Sequence, residues 1–314
     1  MSQSAPALPP GASFSKRLLL PHFWPAWLLI GVAWVLVQLP FAWVLAIGTL
    51  LGELFMYSSA RRRGIADTNL RLCFPELTAD RRRRLLRLQF HSLGIAVLEK
   101  AMAWWWPSPR LARLIREVEG FEDLERALAA GRGVILLSAH FTTAEVGVRL
   151  LNTRVPIVPM YREHENPIIR FMMHHSYKPH FKAVIPRDDV RGMLRCLKGG
   201  GAVWYAPDQN YGRQGRAFAP FFGVMAATNP ATGRFARMSG AVVIPYFARR
   251  LPGNRGYRLR LLPPLADFPT GNDEADAARV NQVIETEVRD NIEQYLWVHR
   301  RFKTRPPGEP GVYP

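Results

Sequence analysis

The stretch VILLSAHFTTAE, residues 134–145, decides the predicted fold of this chain. Its first five residues are an apolar run that ends at Ser138, which is typical of a buried strand in a parallel sheet. Glycines at 131 and 133 precede the run, and residues with helical spacing follow it. A buried strand that leads into a helix is the repeating unit of an α/β protein.

The same alternation continues along the chain. Further strands are predicted at 155–160, 202–205, 241–247 and 257–262. Helices are predicted at 79–106, 120–130, 166–178, 188–198, 229–238 and 273–298. We therefore expect an α/β domain over 58–304, with a mixed, mostly parallel central sheet covered by helices. Residues 1–20 and 305–314 are predicted to be tails. Residues 1–13 and 304–314, which are rich in proline, glycine and small residues, are expected to be poorly ordered.

Residues 21–57 are predicted to attach the chain to a membrane. No charged residue occurs from 18 to 52, whereas a helix needs only about 20 apolar residues to cross a hydrocarbon core of about 30 Å. One transmembrane helix is expected at 26–47, with a kink or break at Pro40. A signal peptide would have a shorter apolar region. A buried core helix or a helix on the membrane surface are the remaining alternatives.

The charges beside this segment predict its orientation. Arg61, Arg62 and Arg63 follow it, and only Lys16 and Arg17 precede it. The excess of positive charge on the cytoplasmic side of membrane segments then predicts a single-pass protein with residues 58–304 in the cytoplasm.

The whole chain is strongly basic. Its 314 residues include 42 Lys and Arg against 25 Asp and Glu, which gives a net charge of +17. Partners with negative charge are expected, including the anionic lipids of a membrane. A membrane-tethered nucleic-acid-binding protein is the rival hypothesis, but we find no helix-turn-helix, zinc or RNP pattern. With only two cysteines, Cys73 and Cys196, a disulfide framework is excluded.

His140 and Glu145 are the first candidate catalytic residues. His140 directly follows the predicted strand, at a carboxyl end, where open α/β sheets bind their ligands. If His140 precedes the first helical turn, the Glu145 carboxylate can orient the imidazole so that it takes a proton from a hydroxyl. Thr142 and Glu145 also fit a capping box, in which Glu145 would only satisfy the start of a helix.

Two further strand ends carry polar candidates. Asp208 follows the 202–205 strand and Arg162 follows the 155–160 strand, so both could lie at the same edge as His140. Asp208 is a candidate for substrate binding, although Pro207 and Gly212 also suit a simple turn. Arg162 could bind phosphate or stabilise an oxyanion. Four other histidines, at 164, 174, 175 and 180, fit no metal-binding spacing, and no metal site is expected.

Taken together, these segments resemble a known family, the late acyltransferases of lipid A biosynthesis, which are related to the glycerophosphate acyltransferases. The resemblance covers nearly the whole chain. It rests on VQLP at 37–40, NLRLCFPEL at 69–77, AHFTTAE at 139–145, YR with NP at 161–167, WYAPDQNYG at 204–212, APFFGV with AATNPATGRFARMSGA at 219–241 and EQYLWVHRRFKTRPPG at 293–308.

The resemblance implies an enzyme of the bacterial inner membrane that faces the cytoplasm. Such an enzyme moves a fatty acyl chain from acyl carrier protein to a hydroxyl of a lipid A precursor, without a metal or an organic cofactor. It implies that His140 is the general base with Glu145 as its partner, and that Asp208 is the acidic residue of a second motif. A basic residue that the family carries is replaced here by Tyr177, beside Lys178. Nucleic acid is not an expected partner.

Overall fold

The computed structural model describes residues 15–313. Helices and strands alternate through most of this range. The α-helices are α1 (Trp24–Leu36), α2 (Phe41–Ser58), α3 (Ala60–Cys73), α4 (Ala79–Trp105), α5 (Ser108–Ala112), α6 (Phe121–Ala129), α7 (Ala144–Asn152), α8 (Pro167–Tyr177), α9 (Val190–Lys198), α10 (Ala231–Ser239) and α11 (Asp273–Asp290). The strands are β1 (Ile115–Glu119), β2 (Val134–Leu137), β3 (Val158–Tyr161), β4 (Ile185–Pro186), β5 (Ala202–Tyr205), β6 (Ala217–Phe221), β7 (Val224–Thr228), β8 (Val242–Arg250) and β9 (Tyr257–Leu261).

Seven of these strands form one sheet in the order β1-β9-β8-β2-β5-β3-β4. The neighbours from β8 to β4 are parallel, whereas β9 is antiparallel to β8 and parallel to β1. A separate antiparallel hairpin is made by β6 and β7. The predicted α/β fold with a mixed, mostly parallel sheet is therefore confirmed.

The quoted apolar run lies at the centre of this sheet. All four residues of β2 are buried, because helices cover both faces. Ile135 and Leu137 pack into one hydrophobic cluster, and Val134 and Leu136 pack into a second cluster on the other face. A strand that buries both faces has to be apolar at every position, which explains why β2 shows no polar alternation.

All five predicted strands are present, but the last helix is shorter than predicted. The helix expected over 273–298 ends at Asp290, because Asn291 adopts a backbone conformation that is not helical (φ −149°, ψ 53°). The next residues form a loop with a short 3₁₀ helix at Ile292–Gln294, and Tyr295 and Trp297 from this loop are buried in the core. The helical prediction failed here because the apolar residues of this segment pack as a loop rather than as one helix face.

The N-terminal apolar segment is two helices instead of one. Helix α1 ends at Leu36, and α2 begins after Pro40, which adopts an extended conformation at its N-cap (φ −54°, ψ 143°). The predicted break at Pro40 is confirmed, but the bounds predicted for the apolar helix, 26–47, are wrong, because the segment is divided between two helices. In the described residues, the helix that is long and apolar enough to cross a membrane is Phe41–Ser58. Proline interrupts the helix because it lacks an amide hydrogen and disfavours a helical conformation at the preceding residue.

The structure describes a short part of the first predicted tail and most of the second. Residues 1–14 of the first tail lie outside the described residues, and residues 16–19 form a 3₁₀ helix. Residues 305–313 of the second tail lie against the domain. Arg305 donates a hydrogen bond to the carbonyl of Met225, and the Tyr313 hydroxyl donates to the side chain of Asn69.

Candidate active site

Three strand ends bring the predicted polar residues to one edge of the sheet. Strand β2 pairs with β5, with Leu137 opposite Tyr205, and β5 pairs with β3 on its other side. Because these strands are parallel, the residues that follow them meet at the carboxyl edge. His140, Asp208 and Arg162 each follow one of the three strands, as the sequence analysis expected.

His140 and Asp208 are in direct contact at this edge. The Nδ1 atom of His140 lies 2.6 Å from Oδ1 of Asp208. The backbone amide of His140 also donates to the same carboxylate, at 3.1 Å from Oδ1 and 3.0 Å from Oδ2. Asp208 is 2% exposed, whereas the His140 side chain is 33% exposed. The carboxylate thus lies behind the imidazole and fixes its orientation, and Nε2 is the ring nitrogen left to accept a proton.

The two groups shift each other's pKa. Burial acts to raise the pKa of Asp208, but attraction to His140 and the hydrogen bonds from His140 and Tyr295 outweigh it and lower the pKa to about 2. Burial acts to lower the pKa of His140, and the charge and hydrogen bond of Asp208 raise it above its usual 6.5. Asp208 is therefore ionised at neutral pH, and its charge stabilises the protonated form of His140.

Tyr295 is a third member of this arrangement that the sequence analysis missed. Its hydroxyl donates a hydrogen bond of 2.9 Å to Oδ2 of Asp208, and the residue is 4% exposed. Burial and the neighbouring carboxylate raise the pKa of Tyr295 well above 10, so its hydroxyl stays protonated and remains a donor. The sequence pattern predicts a helix at Tyr295, and nothing local in the sequence indicates a contact with Asp208.

The same C-terminal loop holds the backbone around His140. The amide of Leu296 donates to the carbonyl of His140 at 3.0 Å, and the amide of Thr142 donates to the carbonyl of Gln294 at 2.7 Å. The Thr142 hydroxyl is 2.7 Å from the hydroxyl of Ser92 on α4. The loop that carries His140 is thus bonded on two sides.

Glu145 has other partners than the sequence analysis expected. Its Oε1 accepts a hydrogen bond of 2.6 Å from the Tyr177 hydroxyl, and its Oε2 lies 3.9 Å from Nζ of Lys100. The carboxylate that orients His140 is Asp208, so the pairing of His140 with Glu145 is corrected. The physical reason is that Asp208 reaches Nδ1 from the neighbouring strand, whereas Glu145 lies in the first turn of α7, facing α4 and α8.

The capping-box alternative for Glu145 is not observed either. The N-cap of α7 is Thr143, which makes no side-chain capping hydrogen bond, and the Thr142 hydroxyl is directed to Ser92. Glu145 therefore connects α7 with Tyr177 on α8 and lies near Lys100 on α4. Position 177, where the resemblance leads us to expect a basic residue, carries a tyrosine that is bonded to this carboxylate.

His140 opens into a large cavity of about 810 Å³. Apolar and aromatic side chains line part of its wall, among them Met160, Tyr161, Trp204 and Phe235. Three arginines line another part: Arg162, Arg187 and Arg213. The Arg162 side chain is 66% exposed and lies 3.5 Å from Glu165, and Asp188 lies within 3.5 Å of both Arg187 and Arg213. The cavity therefore has an apolar wall and a basic wall beside the His140 imidazole.

The loop after β5 is fixed by a second histidine. The amide of Asn210 donates to Nε2 of His299 at 3.0 Å. Burial lowers the pKa of His299 to about 4, so this imidazole is neutral and remains an acceptor at neutral pH. Its role is to hold the segment that carries Asp208.

Among residues 15–313, no group of three or more His, Cys, Asp or Glu side chains is placed to hold a metal ion.

The fold and the site together define a class: an α/β protein in which a histidine, oriented by a buried carboxylate, lies beside a large, partly apolar cavity. The family model for bacterial lipid A biosynthesis acyltransferases matches residues 12–304. The chain belongs to that family. It is 42% identical over 301 residues to the lipid A biosynthesis lauroyltransferase of Escherichia coli K12, covering 96% of this chain and 98% of the relative.

Two further relatives support the same assignment. The chain is 41% identical to the lipid A biosynthesis palmitoleoyltransferase of E. coli K12 over 305 residues, with 97% of this chain and 99% of the relative covered. It is 35% identical to a lipid A biosynthesis acyltransferase of Haemophilus influenzae, with 93% and 94% covered. The protein is an acyltransferase enzyme of lipid A biosynthesis, and its acceptor is a lipid A precursor.

Proposed function

We propose that this enzyme transfers a fatty acyl chain from acyl carrier protein to a hydroxyl group of a lipid A precursor, with His140 as general base. The observation that supports the proposal best is the hydrogen bond of 2.6 Å between Nδ1 of His140 and the buried carboxylate of Asp208. This bond leaves Nε2 free to take the hydroxyl proton. General-base catalysis of this kind contributes about 10²–10⁴ in rate.

The proposed reaction has two steps. Nε2 of His140 removes the proton from the acceptor hydroxyl while the oxygen attacks the thioester carbonyl, and the imidazolium is stabilised by the ionised Asp208. The tetrahedral intermediate then collapses, the carbon–sulfur bond breaks and the leaving thiolate takes the proton back from His140. Arg162, which lines the same cavity, is our candidate for binding a phosphate group or the oxyanion.

Glu145 remains a proposed catalytic-site residue, with a changed role. Its bond to Tyr177 and its distance of 3.9 Å from Lys100 indicate that it positions helices α7, α8 and α4 relative to each other. We propose that it shapes the side of the site next to His140, and that Asp208 has the orienting role. The rate should therefore depend on both carboxylates, and only Asp208 should control the protonation of His140.

The basic wall of the cavity supports an acidic donor. Arg187 and Arg213 line the cavity together with Arg162. Acyl carrier protein is acidic, and its prosthetic arm carries a phosphate, so both would be attracted to this wall. We also propose that the domain faces the cytoplasm and lies against anionic lipids. Arg61, Arg62 and the arginines at 81–84 support this orientation.

The proposed base is tested with His140→Ala, purified in detergent and assayed for transfer from acyl carrier protein to a phosphorylated disaccharide lipid. We expect a folded protein that has lost nearly all transfer. His164→Ala is the matched control, because His164 is an exposed histidine three positions after the last residue of β3, at the same carboxyl edge, and should retain transfer. Turnover of His140→Ala at the rate of the unmodified enzyme would refute the assignment.

A further inference from the structure

The N-terminal helices α1 and α2 contact the α/β domain along their whole length. We propose that they lie in one leaflet of the membrane and do not cross it, so that the N-terminus and the domain are on the same side. A single-pass arrangement requires one end of the apolar segment to be about 30 Å from the other, across the hydrocarbon core. The contacts of both helices argue against that arrangement.

Helix α2 is bound to the domain at its N-terminal end. The carbonyl of Val37, just before α2, accepts a hydrogen bond of 2.8 Å from the indole of Trp106, and Val37 is fully buried. The ring centroid of Phe41 lies 5.9 Å from that of Tyr257 in β9. The start of α2 is therefore in contact with β9 of the main sheet.

Helix α2 also touches the domain at its middle and at its C-terminal end. Gly48 and Gly52 lie so close to α4 that a Cβ atom on either would collide with its backbone, and Gly94 of α4 makes the reciprocal contact. Near the end of α2, Glu53 forms an ion pair of 2.9 Å with Arg87 of α4. An α-helix rises 1.5 Å per residue, so the 18 residues of α2 lie beside α4 for about 27 Å.

Helix α4 in turn belongs to the domain. Its Glu99 is 1% exposed and accepts a hydrogen bond of 2.8 Å from Arg250 of β8. If α2 crossed the bilayer, α4 and the strand behind it would be drawn to the depth of the hydrocarbon core. The Arg87 side chain, which is 60% exposed, would be among the groups exposed there. An arginine at the bilayer centre costs at least about 2.5–3.5 kcal/mol.

Helix α1 also contacts the domain. It has 13 residues, which span about 20 Å and are too short for a hydrocarbon core of about 30 Å. The indole of Trp27 donates to the carbonyl of Leu18 at 2.8 Å, and its ring centroid lies 6.3 Å from that of Phe171 in α8. Leu18, close to the first described residue, is 7% exposed. The described N-terminus is therefore on the domain side.

The outward faces of α1 and α2 have the chemistry of a lipid leaflet. Their exposed large apolar side chains include Leu28, Leu29 and Val32 on α1 and Trp43, Leu50 and Leu54 on α2.

Basic residues border this face at both ends of the segment. Lys16 and Arg17 are exposed before it, and Arg61 and Arg62 are exposed after it. An apolar face with a basic margin suits a leaflet that contains anionic phospholipids. A protein partner would not require basic groups on both flanks. The occupant that we assign to this face is one leaflet of an anionic phospholipid membrane.

Cysteine labelling tests the arrangement in the full-length protein. Ser15→Cys reports the side of the membrane on which the N-terminus lies, and Lys198→Cys, at an exposed position on α9, reports the side of the domain. The native Cys73 and Cys196 are buried, and the unmodified protein is the control for their reactivity. A maleimide that cannot cross membranes is applied to spheroplasts before and after permeabilisation. We expect both variants to be labelled only after permeabilisation. Labelling of Ser15→Cys in intact spheroplasts while Lys198→Cys stays protected would overturn the proposal.

A second measurement tests the occupant independently of side. A polarity-sensitive fluorophore is attached at Leu28→Cys and at Leu50→Cys, and the protein is bound to vesicles of phosphatidylethanolamine and phosphatidylglycerol that carry a lipid-linked quencher. We expect quenching at both positions and none at Lys198→Cys. If neither helix position is quenched while the protein is bound and active, the face is not in lipid and the proposal is wrong.

Discussion

Replacing Asp208 with asparagine removes the charge that orients and stabilises His140, with little change in shape. Asparagine keeps an oxygen that can accept from Nδ1 of His140, which lies 2.6 Å from Oδ1 in the structure. The charge that raises the pKa of His140 is lost, and burial, which lowers that pKa, is no longer opposed. The imidazolium that forms during transfer therefore loses its counter-charge.

The expected loss follows from the role of the base. If Asp208→Asn removes most of the general-base contribution, kcat falls by about 10²–10⁴. At about 1.36 kcal/mol for each factor of ten, the barrier rises by about 3–5 kcal/mol.

The acid limb of the pH–rate profile also moves. Activity requires neutral His140, and the limb of the unmodified enzyme should have its midpoint above pH 6.5, because the pKa of His140 is raised. In Asp208→Asn the midpoint should move to lower pH.

The assay is transfer from acyl carrier protein to a phosphorylated disaccharide lipid in detergent micelles, measured at saturating substrate over a range of pH. Asp188→Asn is the matched control. Asp188 lines the same cavity but pairs with Arg187 and Arg213, and its side chain is 66% exposed. The reasoning is refuted if Asp208→Asn is as active as Asp188→Asn, or if its acid limb stays where that of the unmodified enzyme is.

Three further predictions follow from the same geometry. Tyr295→Phe keeps the ring contact with Trp297 but loses the hydrogen bond of 2.9 Å to Asp208. We expect the free energy of unfolding, measured by chemical denaturation, to fall by about 1.5–3 kcal/mol, and kcat to fall with KM unchanged. An unchanged free energy of unfolding would show that this bond contributes nothing to stability. Glu145→Gln should lower the rate without moving the acid limb, since Glu145 contacts Tyr177 and not Nδ1 of His140; a shift like that of Asp208→Asn would return the orienting role to Glu145. The KM for acyl carrier protein should rise with ionic strength, because salt screens the attraction between charges and the Debye length falls to about 10 Å at 0.1 M salt. An uncharged acyl-pantetheine donor should show no such rise in KM. The same rise for both donors would contradict the role of the basic wall.

Much of the fold could be predicted from local sequence. The run at 134–138 and its counterparts near 158, 203 and 244 are apolar, because strands in a sheet covered on both faces have no side for polar residues. The helix break at Pro40 could also be predicted from local sequence, because the proline ring and the missing amide hydrogen of proline affect only neighbouring residues.

Two of the segments that the sequence does not predict correctly depend on distant partners. Strand β1 at Ile115–Glu119 is half-exposed and charged, and it becomes a strand because β9 pairs with it. The segment 291–298 has apolar residues that also suit a helix, and it becomes a loop because Tyr295 and Trp297 are buried among residues of the central core. Local periodicity carries no information about either partner.

The sequence by itself determined that His140, Asp208 and Arg162 follow strands, and hence that they lie at one carboxyl edge. Only the tertiary structure decided which carboxylate His140 contacts. Spacing along the chain favoured Glu145, five residues away, whereas the contact is made by Asp208 across the boundary between β2 and β5, with Tyr295 bonded behind it. The physical reason is that strand order and loop packing are set by the summed burial of the whole core. A hydrogen bond between residues 68 positions apart is a consequence of that burial and leaves no local pattern.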